Sequence, residues 1–240
     1  MFKRMILPLA LMMASGAASA GIVTNETELL SGSDHAQLSE WLGEDFDLTR
    51  IFAKKDGDTS YDWHAAVDGK GATFTVMEII DNDTDEVRVI GGYNSMSWAS
   101  INQYGTTQTT FLFNLSDGLL FEKNSRYTSG QLATYNGVLY GSTFGGGHDL
   151  YVGSDLTTGY AEIGHTYGDI MQFRDDSYRE QFAGTLNNWT IGAYETYTLS
   201  ASTGEFGTGA AVETTDVPVS FLLGGLGLLG IGVARRRPGV

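Results

Sequence analysis

Three consecutive glycines, Gly145-Gly146-Gly147, run directly into His148 and Asp149 inside the string STFGGGHDLYVG, Ser142 to Gly153. One chemistry for this pattern is anion binding or general base catalysis. Backbone N–H groups without neighbouring Cβ atoms would form a nest beside His148, with Asp149 fixing the imidazole tautomer. The other reading is structural: the glycines adopt backbone angles that other residues avoid, the chain turns or approaches a second strand, and His148 and Asp149 satisfy buried backbone groups. Glycine runs at strand corners are common, so the structural reading is favoured. The sequence holds no G-x-S-x-G elbow, no H-E-x-x-H and no P-loop. The catalytic candidates are therefore His148 with Asp149 or Glu195.

Other chemistry-bearing residues are weaker. His64 and His165 would join His148 in a metal site only if the fold gathered them, because their separations carry no local ligand spacing. Asp81, Asp83 and Asp85 place oxygen ligands at alternate positions, as calcium loops do. Glu86 stands where such a loop needs glycine, and Gly92 where it needs a bidentate Glu, so a solvated hairpin tip is expected. Glu78, Glu162 and Glu195 fall in expected strands, where a carboxylate pair would suit glycoside or acyl chemistry but outward-facing carboxylates are the default. Met77, Met96 and Met171, with the tyrosines, are conceivable oxidant targets; seven methionines are no enrichment, and core filling is expected. No cofactor is implied.

The elements that must position these residues are mostly strands. Asp34-His-Ala-Gln37 reads as a capping pair ahead of Leu38, Trp41 and Leu42 on one helical face, with Gly43 as the stop. Ser60 to Val67 reads as a second short helix closed by Asp68-Gly69. From Gly71 the rhythm changes. Strands are expected at 72–80, 87–93, 107–115, 118–122, 136–140, 149–152, 160–163 and 190–200, where β-branched and aromatic residues are bounded by Gly, Asn or Asp. Arg50 to Lys55 is read only as running into the Asp56-Gly57 turn. Many short strands, three prolines and 32 glycines argue for a two-sheet antiparallel β-sandwich with short helices, an α+β domain, and no fixed repeat suggests a propeller or solenoid.

The ends carry address signals. Residues 1–20 have the charged, apolar and small-residue order of a secretory signal peptide, with cleavage expected after Ala20. A polar lead-in is expected over 21–32, the domain over 33–200 and a Ser/Thr/Gly/Ala-rich linker over 201–216. Then Val217-Pro218-Val219-Ser220 precedes an apolar run, Phe221 to Ala234, short for a membrane span and closed by Arg235, Arg236 and Arg237. This order resembles the PEP-CTERM class of bacterial C-terminal sorting signals, with Val-Pro-Val-Ser where the usual Pro-Glu-Pro core stands. The resemblance implies a sorting protease as partner and at least transient membrane contact over 217–240.

Loss of both ends would remove Lys3, Arg4 and the three terminal arginines. That leaves nine of the 14 basic residues against all 29 acidic ones, a formal charge of −20. This balance disfavours a nucleic-acid partner, since phosphate binding needs clustered Lys and Arg. With no cysteine, the domain has neither disulfides nor thiolate chemistry.

A set of motifs then follows in one order: Leu38-x-x-Trp41-Leu42-Gly43, Leu48 to Phe52, Trp63-His64, Asp68 to Val76, Gly91-Gly92-Tyr93, Trp98, Phe111 to Leu115, and Phe144-Gly145-Gly146-Gly147-His148-Asp149-Leu150. Gly164-His165-Thr-Tyr167, Phe182-Ala-Gly184 and Tyr194-Glu195-x-Tyr197 complete it. The chain resembles the TLDc domain over about residues 30–199. The resemblance implies a β-sandwich flanked by short helices, the domain of the oxidation-resistance proteins, and no settled catalytic set. The ATPase partner of intracellular relatives does not transfer to an exported chain. Three functions are expected in order of preference: an exported cell-surface or matrix module that binds an unknown protein or surface polymer and protects against oxidants; a hydrolase or peroxide-handling enzyme using His148 with Asp149 or Glu195; and a structural envelope or biofilm component.

Overall fold

The computed structural model describes residues 29–127 and 129–202. The expected leader and sorting segment, including Val217, Pro218 and Arg235 to Arg237, lie outside the described residues, as do most of the lead-in and linker. In chain order the elements are α1 (Gly32–Leu42), β1 (Phe46–Ala53), α2 (Ser60–Val67), β2 (Thr73–Asp81), β3 (Val87–Asn94), β4 (Gln103–Tyr104), β5 (Phe111–Asn114), β6 (Leu119–Glu122), β7 (Tyr135–Asn136), β8 (Leu150–Val152), β9 (Gly159–Ala161), α3 (Asp176–Ala183) and β10 (Trp189–Ala201). Among the described residues no helix is long and apolar enough to cross a membrane.

Six strands form one antiparallel sheet in the order β1-β10-β2-β3-β5-β6, and β4-β7 and β8-β9 form two small pairs. The domain is thus mostly β with three short helices, as expected. Its second layer is built of the two small pairs and long connections rather than a continuous sheet. Side-chain alternation sorts the six-stranded sheet into two faces. Phe74, Val76, Phe111, Phe113 and Tyr197 pack with Leu38 of α1 on one face. Met77, Ile79, Ile90, Leu112 and Tyr194 pack on the other with Trp63, Trp98, Phe144, Leu150 and Phe182. Each large buried side chain contributes roughly 1.5–3 kcal/mol through water release, so both faces are needed.

Several boundaries differ from expectation for identifiable reasons. Helix α1 is capped by Ser31, whose side chain accepts from the Asp34 N–H while Asp34 accepts from the Ser31 N–H; Asp34 is the third helical residue and not the cap. Leu29 and Leu30, expected in a polar lead-in, are buried against the α1 face. Strand β1 was not expected because its register shifts between Arg50 and Phe52, which breaks the two-residue period. The strand expected at 136–140 is confined to Tyr135–Asn136, with its remainder in a loop. Helix α3 buries only Tyr178, Phe182 and Ala183, too few to announce a helical face in sequence. By contrast α2 spans the expected residues, and Asp68 ends it.

Candidate functional site

The glycine string is anchored at both ends. The Phe144 and Leu150 N–H groups each donate to the other residue's carbonyl, at 2.8 and 3.2 Å, which closes the five residues between them into a loop. Phe144 itself is fully buried and meets Trp98 edge to face at 5.4 Å. Room for its ring comes from Gly92 on β3, where a Cβ would lie 2.6 Å from Phe144 Cζ. The motif residue Gly91 faces the opposite side under Phe113, while Tyr93 stacks near Phe74 and Trp98 donates to Thr73 Oγ1 at 2.9 Å. The glycines of β3 therefore admit aromatic rings from both layers.

Asp149 turns inward and is fully buried. Its Oδ1 accepts from the backbone N–H groups of His165, Thr166 and Tyr167 at 3.0, 2.9 and 3.1 Å, and its Oδ2 from Thr166 N–H at 3.0 Å. Gly145, with φ 85°, makes this possible: a Cβ there would stand 1.9 Å from Asp149 Oδ2. Successive N–H groups do form a nest, but it belongs to the 165–167 turn, and it is filled by the protein's own Asp149 carboxyl group. In the glycine string the N–H groups of Gly145 and Gly146 donate to Ala133 O and Thr166 Oγ1. Burial lifts the Asp149 carboxyl to about 7 against the pull of the Thr166, Tyr167 and His165 N–H groups. Lys123, pushed down to about 8 by burial and drawn up by Asp149, donates to Gln131 O at 2.7 Å.

His148 turns the other way. It holds φ 67°, a left-handed conformation that is unfavourable for a residue with a Cβ. Its ring is half-buried, with Nδ1 enclosed and, among the described residues, without a partner in hydrogen-bonding geometry. Desolvation lowers its pKa, opposed by a weaker interaction with the Gly145 backbone. Four tyrosine rings surround it: Tyr135 at 5.5 Å, Tyr140 at 5.8 Å, Tyr151 stacked at 5.9 Å and Tyr160 at 6.5 Å. The alternative reading, a His148–Asp149 dyad, is not formed, because the Asp149 carboxyl is engaged with the 165–167 backbone and does not set the imidazole tautomer.

The remaining candidates are dispersed. Glu195 is buried beside Arg50, 2.6 Å away, and accepts from the Tyr197 hydroxyl. It shares the α1-facing side of β10 with Tyr197, whereas Phe144 and Leu150 at the ends of the His148 loop pack on the other face, so His148 and Glu195 are not brought together. Glu162 pairs with Arg179 at 2.8 Å, and Glu78 is half-buried on β2. His64 bonds Asp68 through Nδ1 and the Gly137 and Tyr140 carbonyls through Nε2, which fixes the 137–140 loop to α2. His165 bonds Tyr127 and Thr166. Among the described residues no cluster of three His, Asp or Glu could hold a metal ion. Asp81, Asp83 and Asp85 make the β2–β3 hairpin tip, where Asp81 Oδ1 accepts from Asp83 and Thr84 N–H and is held below the usual carboxylate range by those bonds. Met77 fills the core as expected, but Met96 and Met171 are exposed and do not.

Sequence reasoning missed the tyrosine surround of His148, Tyr135, Tyr140, Tyr151 and Tyr160, and Tyr104 packed against Tyr135. The one available signal was the alternation Leu150-Tyr151-Val152, which turns Tyr151 away from a buried pair.

No functionally curated protein matches this chain. The model of the TLDc domain matches residues 23–200, and it therefore spans the described sheet, both small strand pairs and the glycine string. With most of its length matched and its motif residues seated in one β-rich domain, the chain belongs to the TLDc-domain family.

Proposed function

We propose that the protein is an exported TLDc module that binds at the cell surface or in the matrix and contributes to resistance against oxidants without turnover of its own. The observation that carries this reading is the division of the glycine string. Its carboxylate is consumed in holding the domain together, while its imidazole is left among half-exposed tyrosines. Export is supported by the order of residues 1–20 and 217–240, and the link to oxidants by membership in a family of oxidation-resistance-like proteins.

A hydrolytic or peroxide-handling reading has one observation in its favour, the unpartnered Nδ1 of His148. A general base needs an orienting partner and a reacting atom within reach, and among the described residues no carboxylate bonds this ring. The test is peroxide survival of producing cells that lack the protein, complemented by wild type and by His148→Ala verified as folded and exported. Rescue by wild type alone gives His148 a chemical or recognition role. Rescue by both moves the function to the rest of the surface, and absence of any survival defect in the deletion refutes the protective reading.

A further inference from the structure

Ten of the twelve tyrosines fall into two groups. Tyr127, Tyr167, Tyr178, Tyr194 and Tyr197 engage His165, Ala133 O, Asp169 N–H, Ser142 N–H and Glu195 through their hydroxyls. The hydroxyls of Tyr104, Tyr135, Tyr140, Tyr151 and Tyr160 bond no group among the described residues. Yet these five rings form one strip: centroids lie 5.1 Å apart for Tyr104–Tyr135, 5.0 Å for Tyr135–Tyr140, 5.4 Å for Tyr140–Tyr151 and 4.9 Å for Tyr151–Tyr160.

The small strand pairs build it. Tyr104 stands opposite Tyr135 in β4-β7, and Tyr151 opposite Tyr160 in β8-β9. Leu150, Val152 and Ala161 point into the core, so the two-residue period turns Tyr151 and Tyr160 outward. His64 holds the Tyr140 carbonyl, and His148 fills the space between the two pairs at the expense of a left-handed backbone.

The strip runs into a cleft of about 340 Å³ whose wall Tyr160 shares with Glu162, Arg179 and Asn187. Arg179 is neutralised by Glu162 and Asp176, each at 2.8 Å, so the cleft offers planar hydrogen-bonding groups without free positive charge. Tyr160 is raised to about 12 by burial and by Glu162, and Tyr151 is raised by burial, Tyr140 and Asp155; both hydroxyls therefore remain donors. Phenol faces suit the C–H faces of a sugar ring, unpaired hydroxyls and planar amide, carboxylate and guanidinium groups suit its alcohols, and an acidic chain repels polyanions.

We infer that the strip Tyr104-Tyr135-Tyr140-Tyr151-Tyr160, continued by the Glu162–Arg179–Asn187 cleft, binds a neutral polysaccharide. Consecutive rings meet edge to face except Tyr151 and Tyr160, which stack on each other, so sugar rings lie against the parts of the phenols that this packing leaves exposed, and sugar hydroxyls bond the free tyrosine hydroxyls and the cleft. This rests on the surface-binding reading above and names its ligand class.

The test is affinity electrophoresis of the protein purified from its producing cells, in native gels containing hydroxyethyl cellulose, laminarin, dextran or galactomannan. Wild type is expected to be retarded in at least one gel. Tyr151→Ala/Tyr160→Ala should weaken binding about tenfold or more, and Tyr151→Phe/Tyr160→Phe, which keeps the rings, about threefold. Tyr61→Ala, an exposed tyrosine outside the strip, should bind as wild type. No retardation in any gel overturns the proposal, as does equal retardation of the alanine variant. Should the alanine variant fail to fold, undiminished binding by the phenylalanine variant overturns it. The same variants in the peroxide assay separate the two readings. Failure to bind polysaccharide with loss of protection by a strip variant refutes the ligand class and leaves the surface-binding reading standing. Binding retained by wild type alongside full protection by a strip variant supports the site and refutes its protective use.

Discussion

His148 and Asp149 are adjacent in sequence and opposite in environment. Asp149 has four N–H contacts within 3.1 Å and no exposed surface, whereas His148 has an enclosed nitrogen with no partner and a strained backbone among half-exposed phenols. The difference teaches that one motif serves two purposes: the carboxylate fastens the 144–150 loop to the 164–167 turn, and the turn so fixed presents the imidazole outward. Removing a buried carboxylate from its N–H donors leaves each donor uncompensated at roughly 1–3 kcal/mol, while removing a half-exposed ring costs little.

The largest test of this contrast is Asp149→Ala. It orphans the N–H groups of three residues and should lower unfolding free energy by about 3–5 kcal/mol, read as a large fall in the urea midpoint; a loss below about 1 kcal/mol would erase the distinction. Gly145→Ala comes next, at about 2–4 kcal/mol, because the new Cβ meets Asp149 Oδ2 and adopts positive φ. Gly147→Ala also has positive φ, 87°, but faces open space, and should cost only about 1 kcal/mol. Equal losses for the two would show that backbone angle, and not the Asp149 seat, sets the requirement.

A third test uses pH. The folded Asp149 carboxyl is pushed up to about 7 by burial, well above the range of an unfolded aspartate, so the native state holds a proton that the unfolded chain has released. Its contribution is complete below about pH 4 and is lost as pH rises through 7. Wild-type stability should therefore fall relative to Asp149→Asn by up to about 1.4 kcal/mol per pH unit between pH 4 and 7, measured by urea unfolding at several pH values. Parallel curves for the two proteins would refute the buried, protonated state. The smallest effect belongs to His148→Asn, which tolerates the left-handed conformation and should shift stability by less than about 1 kcal/mol in either direction.

Much of the architecture was legible because it is local. Ser60 to Val67 declared α2 through its stop, and the Asp-Asn-Asp-Thr-Asp-Glu tip declared the β2–β3 hairpin. Where a bulge broke the period at Arg50–Phe52, or where a helix buried few residues at Tyr178–Ala183, the local signal failed. The glycine string likewise announced a corner, since positive φ at Gly145 and Gly147 is a property of the backbone itself.

What no local pattern carried was the outcome at the site. Asp149 takes its donors from residues 165–167, His148 takes its neighbours from 135, 140, 151 and 160, and Glu195 is drawn to Arg50 on the other face of the sheet. Sequence by itself determined a β-rich TLDc domain, an acidic balance that disfavours nucleic acid and a glycine corner ending in His-Asp. Tertiary structure alone decided that the carboxylate is internal and the imidazole lies in a tyrosine strip, because burial and hydrogen-bond partners depend on which distant segments the sheet brings alongside the loop.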